Sequence, residues 1–206
     1  MIVGAGQRHP VLLIFKESRH CGGVRRERVG EEAIFKHKEI IIGWYNSYNY
    51  SIFKYILNMI NDYQQAEDLT QETFIKVYQY IICDKTISYP KTFIYRTAHN
   101  ITVDYIRKNA PINIVKDFVL RNKKSRELLI ENQVLYNEQY RKLYKDFLSL
   151  KRSYRQVIAL RKMEGLSIKE TAAILDWSEG KVKTTLFRAM KTLRKKLEKG
   201  GYFNEK

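Results

Sequence analysis

RSYRQVIALRKMEGLSIKETAAILDWSEGKVKTTLFRAMKTLRKKL, residues 152–197, holds three helical runs separated by two short breaks, and its reading decides the fold. Tyr154, Val157, Ile158 and Leu160 recur at helical spacing as far as Glu164-Gly165, where a glycine can take the left-handed conformation that ends a helix. Ser167, followed three residues later by Glu170, forms the capping box that starts a short helix over 168–175. Ala172 in its middle is small enough for another helix to cross it closely. Asp176 and Trp177 make the turn, Ser178 caps again, and Glu179 suits the positive end of the next helix dipole. In that last helix Val182, Leu186, Ala189, Met190, Leu193 and Leu197 form an apolar stripe, and Lys181, Lys183, Thr184, Arg188, Lys191 and Arg194 take the remaining arc. A basic amphipathic helix alone is often just a solvated surface helix. The caps and the short turn make this one the second helix of a helix-turn-helix, with one side to bury and the other to offer to a major groove.

Composition agrees. A formal net charge of +16 over 206 residues, with a pI of about 9.7, favours a polyanionic partner. A membrane surface is the competing polyanion, but no apolar run reaches the roughly 18 residues of a spanning helix. VLLIF at 11–15 is too short for a signal-peptide core, so a cytoplasmic location is expected. Cys21 and Cys83 belong to no CxxC pair, and Cys83 is expected to be a buried thiol. The four histidines show no ligand spacing, and no phosphate loop or nucleophile motif occurs. Neither a metal, a cofactor, a small-molecule substrate nor a catalytic centre is therefore expected.

The rest of the chain divides by pattern. Residues 1–30, with Gly22-Gly23 and several arginines but almost no periodicity, read as a disordered extension, and the native start is expected downstream, at Val24 or Val29 from a non-ATG codon. From Glu31 to Lys108 the sequence is helix-rich and aromatic: Ile40, Ile41, Trp44, Tyr48, Ile52, Phe53, Ile56 and Ile60 imply one or two packed helices, ended by Asn61-Asp62. A helix over 66–82 carries Leu69, Thr73, Phe74, Val77 and Ile81 on one side and Asp68, Gln71 and Glu72 on the other. Asp68 and Glu72 at i and i+4 repel slightly, so either a partner justifies them or Glu67 and Asp68 merely complement the helix N-terminus. After a loop at 84–89, Pro90 opens another helix. Over 93–108, Ile94, Thr97, Ala98, Ile101 and Tyr105 make a buried stripe that leaves Tyr95, Arg96, His99, Asn100, Asp104, Arg107 and Lys108 more exposed. Aromatic, amide and cationic groups together suit single-stranded DNA, although an aromatic at helical spacing is also what a core requires.

AEDLTQETFIKVY at 66–78, FIYRTAHNITVDYIRK at 93–108, and YRQVIALRKMEGLSIKETAAIL with SEGKVKTTLFRAMKTLRKKL at 154–197 resemble, in content and in order, the conserved regions of the extracytoplasmic function (ECF, group 4) sigma factors of the sigma-70 family. The resemblance covers roughly 45–108 and 140–198. It implies an all-α protein of two small helical domains joined by a flexible linker: region 2 over 31–108, a linker over 109–140, and a region 4 helix-turn-helix over 141–199, followed by a tail at 200–206. It also implies a sigma factor, not an enzyme, that binds core RNA polymerase, recognises minus-35 and minus-10 promoter elements and promotes melting. Core contacts would fall to Asp68, Gln71, Glu72 and Phe74. The minus-10 strand would be met by Tyr95, Arg96, Asn100 and Arg107, and the minus-35 duplex by Ser178, Lys181, Lys183, Thr184 and Arg188. An anti-sigma factor is the further partner the resemblance implies.

Four positions depart from the family pattern. Phe93 stands where Trp is usual, His99 where Arg or Lys is common, Asp176 where Gly is common and Trp177 where a smaller aliphatic is usual. Asp tolerates the left-handed turn, so these changes bear on promoter sequence more than on fold. His99 is expected to face DNA, with a contact that weakens above its pKa. Two other readings are weaker. An operator-binding regulator leaves Asp68, Glu72 and the Tyr95-Arg96 helix unexplained, and a site-specific recombinase needs a nucleophile among clustered arginines that the sequence lacks.

Overall fold

The computed structural model describes the backbone of residues 31–83, 87–119 and 138–199, with side chains over 37–83, 87–109 and 143–199. Among these residues every regular element is helical. They are α1 (Glu31–Ile60), α2 (Tyr63–Ile81), α3 (Pro90–Val119), α4 (Glu138–Leu148), α5 (Arg152–Ile158, continued by a π-helical turn over Ala159–Met163), α6 (Ile168–Leu175) and α7 (Glu179–Lys199). The expectations for residues 1–30, 120–137 and 200–206 lie outside the described residues.

The first three helices pack together through their apolar stripes. Between α1 and α2, Asn61 takes a positive φ of 56° and Asp62 caps, its carboxylate accepting from the Gln65 amide. The buried stripe of α2 is Ala66, Leu69, Thr70, Thr73, Phe74, Val77, Tyr78 and Ile81. Threonines enter this core without stranding a hydroxyl, because Thr70, Thr73 and Thr102 each donate to the carbonyl four residues back. Aromatic rings fill the wider gaps edge-on, Tyr45 against Phe74 at 4.9 Å and Tyr55 against Tyr95 at 5.5 Å.

Helix α3 starts at Pro90, as its sequence implies, but runs on to Val119 with Pro111 inside it. The expected boundary at 108 falls just ahead of Pro111, which reads as a break although a helix can run on through a proline. Cys83 is exposed, not buried, since it lies beyond the last turn of α2.

In the C-terminal unit the local signals were decisive. Ser167 and Glu170 form the reciprocal capping box: the Glu170 amide donates to Ser167 Oγ (3.1 Å), and the Ser167 amide to Glu170 Oε2 (2.7 Å). Asp176 takes the left-handed conformation (φ 54°), and Ser178 Oγ accepts the Lys181 amide. The turn after α5 is wider than the sequence suggests. The Glu164 amide reaches the Ala159 carbonyl and the Leu166 amide the Leu160 carbonyl, with Gly165 at φ 68° closing the turn.

Helices α4, α5 and α7 enclose a small core of Phe147, Leu150, Ile158 and Ala189. The other side of α5 and the inner face of α6 join the N-terminal unit. Val157, Leu160, Leu166, Ile174 and Leu175 belong to the same buried cluster as Ile56, Ile94 and Ile101. The two units are therefore packed directly on one another, α3 against α6 and α1 against α5.

The turn geometry predicts opposite effects for two substitutions. Ser167→Ala removes the cap and should cost about 1 kcal/mol, whereas Asp176→Gly relieves a left-handed side chain and should gain roughly 0.5 kcal/mol. Urea melts of the two variants should move to opposite sides of the parent; a shift of both in the same direction contradicts this account of the turn.

Candidate nucleic-acid and polymerase interfaces

Helix α7 divides as its sequence implies. Val182 and Ala189 are fully buried, and Ser178, Lys181, Lys183, Thr184 and Arg188 are all exposed. Two of these side chains already have local partners. Lys181 Nζ lies 4.2 Å from the centroid of the Trp177 ring, which directs that cation along the turn, and the Thr184 hydroxyl donates to the Gly180 carbonyl. Met190, expected in the apolar stripe, is partly exposed. Phe187 escaped the sequence reading altogether. It is 70% exposed among the cations of the outer arc, and its signal was an aromatic three residues from Thr184 and off the apolar stripe.

On α3, Arg96, Asn100 and Arg107 are exposed at positions i, i+4 and i+11, one face of the helix. Arg107 donates to Asp104 at 3.0 Å on the surface. Tyr95 does not share this face: it is completely buried, against Tyr55 and under the C-terminal unit. Its hydroxyl is sealed from solvent near the Glu164 carboxylate, outside normal hydrogen-bond geometry. Burial first, and that carboxylate second, keep the phenol protonated far above its ordinary range. The expected exposure of Tyr95 fails because the periodicity of one helix says nothing about a second surface laid over its flank.

The acidic face of α2 exposes Asp68 and Gln71, with Glu72 about half exposed and paired to Lys76 at 2.8 Å. Phe74 is absent from this face. Fully buried and packed edge-on against Tyr45, it anchors the helix and presents nothing to a partner.

Three surfaces thus follow one another along the chain: an acidic helix face, a cationic and amide-bearing helix face, and a basic helix-turn-helix. Residues 44–112 match Sigma-70 region 2 and residues 147–193 match Sigma-70, region 4. The ECF RNA polymerase sigma factor SigX of Bacillus subtilis is 32% identical over 158 residues, covering 75% of this chain and 81% of its own length. SigW of the same organism is 31% identical over 167 residues, with 73% and 84% covered. The chain belongs to the ECF sigma factors of the sigma-70 family. As such it acts in transcription initiation with RNA polymerase.

The fold of this sigma factor is similar to that of the sigma factor RpoE solved with the anti-sigma factor NepR from Bartonella quintana, with a TM-score of 0.60 and 19% identity over 80% of this chain and 97% of that one. CnrH, solved with the cytosolic domain of CnrY, gives a TM-score of 0.56 at 16% identity, covering 81% and 93%. Region 2 takes in most of α1, all of α2 and the described side chains of α3, while region 4 runs from the end of α4 into α7. Among the described residues no group of His, Cys, Asp and Glu could hold a metal ion, and no helix is long and apolar enough to cross a membrane.

His99 corrects another expectation. It is buried, not DNA-facing, and its Nδ1 lies 3.0 Å from the Tyr55 hydroxyl, which can donate to the neutral ring. Burial pushes its pKa down to about 4. A basic group depressed on folding contributes stability that is present above its unfolded pKa, near 6.5, and is lost as pH falls toward the folded value. Stability should therefore drop on the order of 2 kcal/mol between neutral pH and about pH 4.5 from this group alone. Denaturant melts across that range should show the slope flattened in His99→Gln, whatever the variant's absolute stability; an unchanged slope would sink the assignment.

Proposed function

We propose that this sigma factor docks on core RNA polymerase through α2, engages the minus-10 element through α3 and reads the minus-35 element through α7. The observation that carries the reading is the separation of the three exposed faces in the family's order. Asp68, Gln71 and Glu72 stand on the first, Arg96, Asn100 and Arg107 on the second, and Ser178, Lys181, Lys183, Thr184 and Arg188 on the third. In the sigma-70 family the helix matching α2 meets the clamp of the polymerase largest subunit, and an acidic face on a chain of net charge +16 fits a basic partner other than DNA.

Two different kinds of DNA recognition are involved. On α7 the lysines and Arg188 would take phosphates and set the register, while Thr184 and the apolar ring of Phe187 are placed to meet base edges, a phenyl ring suiting the thymine methyl. On α3 the target is a single strand. Extruding a base costs a few kcal/mol, and capture of that base and its strand by Arg96, Asn100 and Arg107 offsets the cost. This route to melting requires no nucleotide hydrolysis. An anti-sigma factor is the natural regulator, since both solved fold neighbours are in complex with proteins of that kind or with a cytosolic partner domain.

Transcription in vitro with purified core polymerase on genomic promoter fragments tests the reading. The wild-type chain should yield factor-dependent runoff transcripts, and Asp68→Arg/Glu72→Arg should lose at least tenfold while duplex binding persists. Duplex binding without any transcript from the wild type would instead make the chain an operator-binding regulator.

A further inference from the structure

The turn of the helix-turn-helix carries a side chain that none of the three proposed surfaces uses. Trp177 is half-buried, packed against the cluster that holds Ile174, Leu175 and Val182. Its backbone is fixed from both sides. Asp176 before it is left-handed, its own amide donates to the Ala172 carbonyl at 3.0 Å, and Ser178 after it caps the Lys181 amide at 3.2 Å. Over the ring stands the Lys181 ammonium, 4.2 Å from the centroid, well inside the range in which an indole attracts a cation.

Lys181 is locally out of place. As the third residue of α7 it lies in the first turn, at the positive end of the helix dipole, where a cation is disfavoured. The indole offsets that cost and holds a flexible, strongly hydrated side chain in one direction. An ammonium has three donors, so a ring on one side leaves it free to donate on the other. Its place round the helix selects the ligand. At about 100° per residue, Thr184 lies nearly opposite the buried Val182, and Lys181 stands about 60° from Thr184, on a flank. Arg188 and Lys195 follow Lys181 on that flank at seven-residue spacing, and all three are exposed. Side chains opposite the buried stripe meet base edges, whereas a row of cations down one flank suits the phosphates of one strand.

We propose that Trp177 is a positioning residue for duplex binding: its ring holds Lys181 ready for a DNA phosphate, as the start of a cation row continued by Arg188 and Lys195. A cation directed before it meets DNA loses less freedom on binding than one drawn from many rotamers. The smaller aliphatic usual at this position in the family could cover the core but could not hold the cation, so the device belongs to this chain. The inference rests on the duplex role proposed above for α7.

The test measures binding of the full chain to the 24-base-pair duplex that the parent enriches most strongly from a random-sequence pool. Trp177→Leu and Lys181→Met should each weaken binding roughly three- to tenfold. In a chain already carrying Lys181→Met, Trp177→Leu should change affinity by less than about twofold, because the ring then has no cation to place. Trp177→Tyr, which keeps a ring, should stay within about twofold of the parent. Lys181→Met should also lower the slope of log affinity against log salt by about 0.9, the counterion release of one phosphate. Equal losses from Trp177→Leu with and without Lys181 would make the ring a support of the turn alone and overturn the proposal, as would an unchanged salt slope. Circular dichroism melts establish that each variant compared is folded. Arg188→Ala tells the two readings apart. If it leaves duplex binding unchanged, the role of α7 falls and this inference with it; if it weakens binding while Trp177→Leu does not, only the role of Trp177 falls.

Discussion

The structure depends on one apolar surface that neither helical unit completes alone. In the C-terminal unit α5 is two-faced: Ile158 closes the small core with Phe147, Leu150 and Ala189, while Val157 and Leu160 point the other way. That second face, continued by Leu166, Ile174 and Leu175, joins one buried cluster with Ile56 and Ile94, since α1 lies against α5 and α3 against α6. A helix-turn-helix of this size has little interior of its own, and small units bury a small share of their surface. The apolar face left over must be covered by something, and here the cover is the N-terminal unit. The position of Glu164 beside Tyr95 and the contacts of Lys91 and Arg155 are set in this one packed arrangement.

Most of the helix-turn-helix was legible because its signals are local. The Ser167–Glu170 box, the left-handed Asp176 and the Ser178 cap each involve a few neighbouring residues, and all three took the expected form. The exposed arc of α7 followed from 3.6-residue periodicity for the same reason, apart from Met190 and the overlooked Phe187. What the sequence hid was contact between distant segments. Tyr95 and His99 lie on the flank of the α3 stripe, where Tyr55 of α1 packs against both and Glu164 of the C-terminal unit also lies beside Tyr95. Phe74 was misassigned for a different reason. Its apolar spacing already placed it with Leu69, Val77 and Ile81, and only the family resemblance set it among the polymerase contacts. The extension of α3 to Val119 was hidden by Pro111, which reads as a break although Ile112, Val115 and Val119 recur at helical spacing beyond it.

Charge adds a second constraint. A chain of net charge +16 repels itself, and several of its acidic side chains stand against a specific neighbour. Glu72 and Glu198 are each tied to a cation one turn away, at 2.8 Å and 2.9 Å. Asp68 keeps its carboxylate on the open face of α2. Glu164 and Glu170 instead face the other unit, so they quench positive charge at the start of α3 at the same place where the apolar faces meet.

The magnitudes show which contacts hold the two units together. The Lys91–Glu164 pair is spread over 4.0 Å with partly exposed side chains, and pairs of that kind contribute at most about 1 kcal/mol. The hydrogen bonds from Thr92 and Tyr144 contribute about as much each. Apolar burial contributes more, since each fully buried aliphatic side chain is worth roughly 1.5–3 kcal/mol and Val157, Leu160 and Ile174 are each at most 1% exposed. A partner that covers the apolar face as it parts the units spares the chain the cost of exposing Val157, Leu160 and Ile174 to water. On the function proposed above, core polymerase is the partner whose binding would do so.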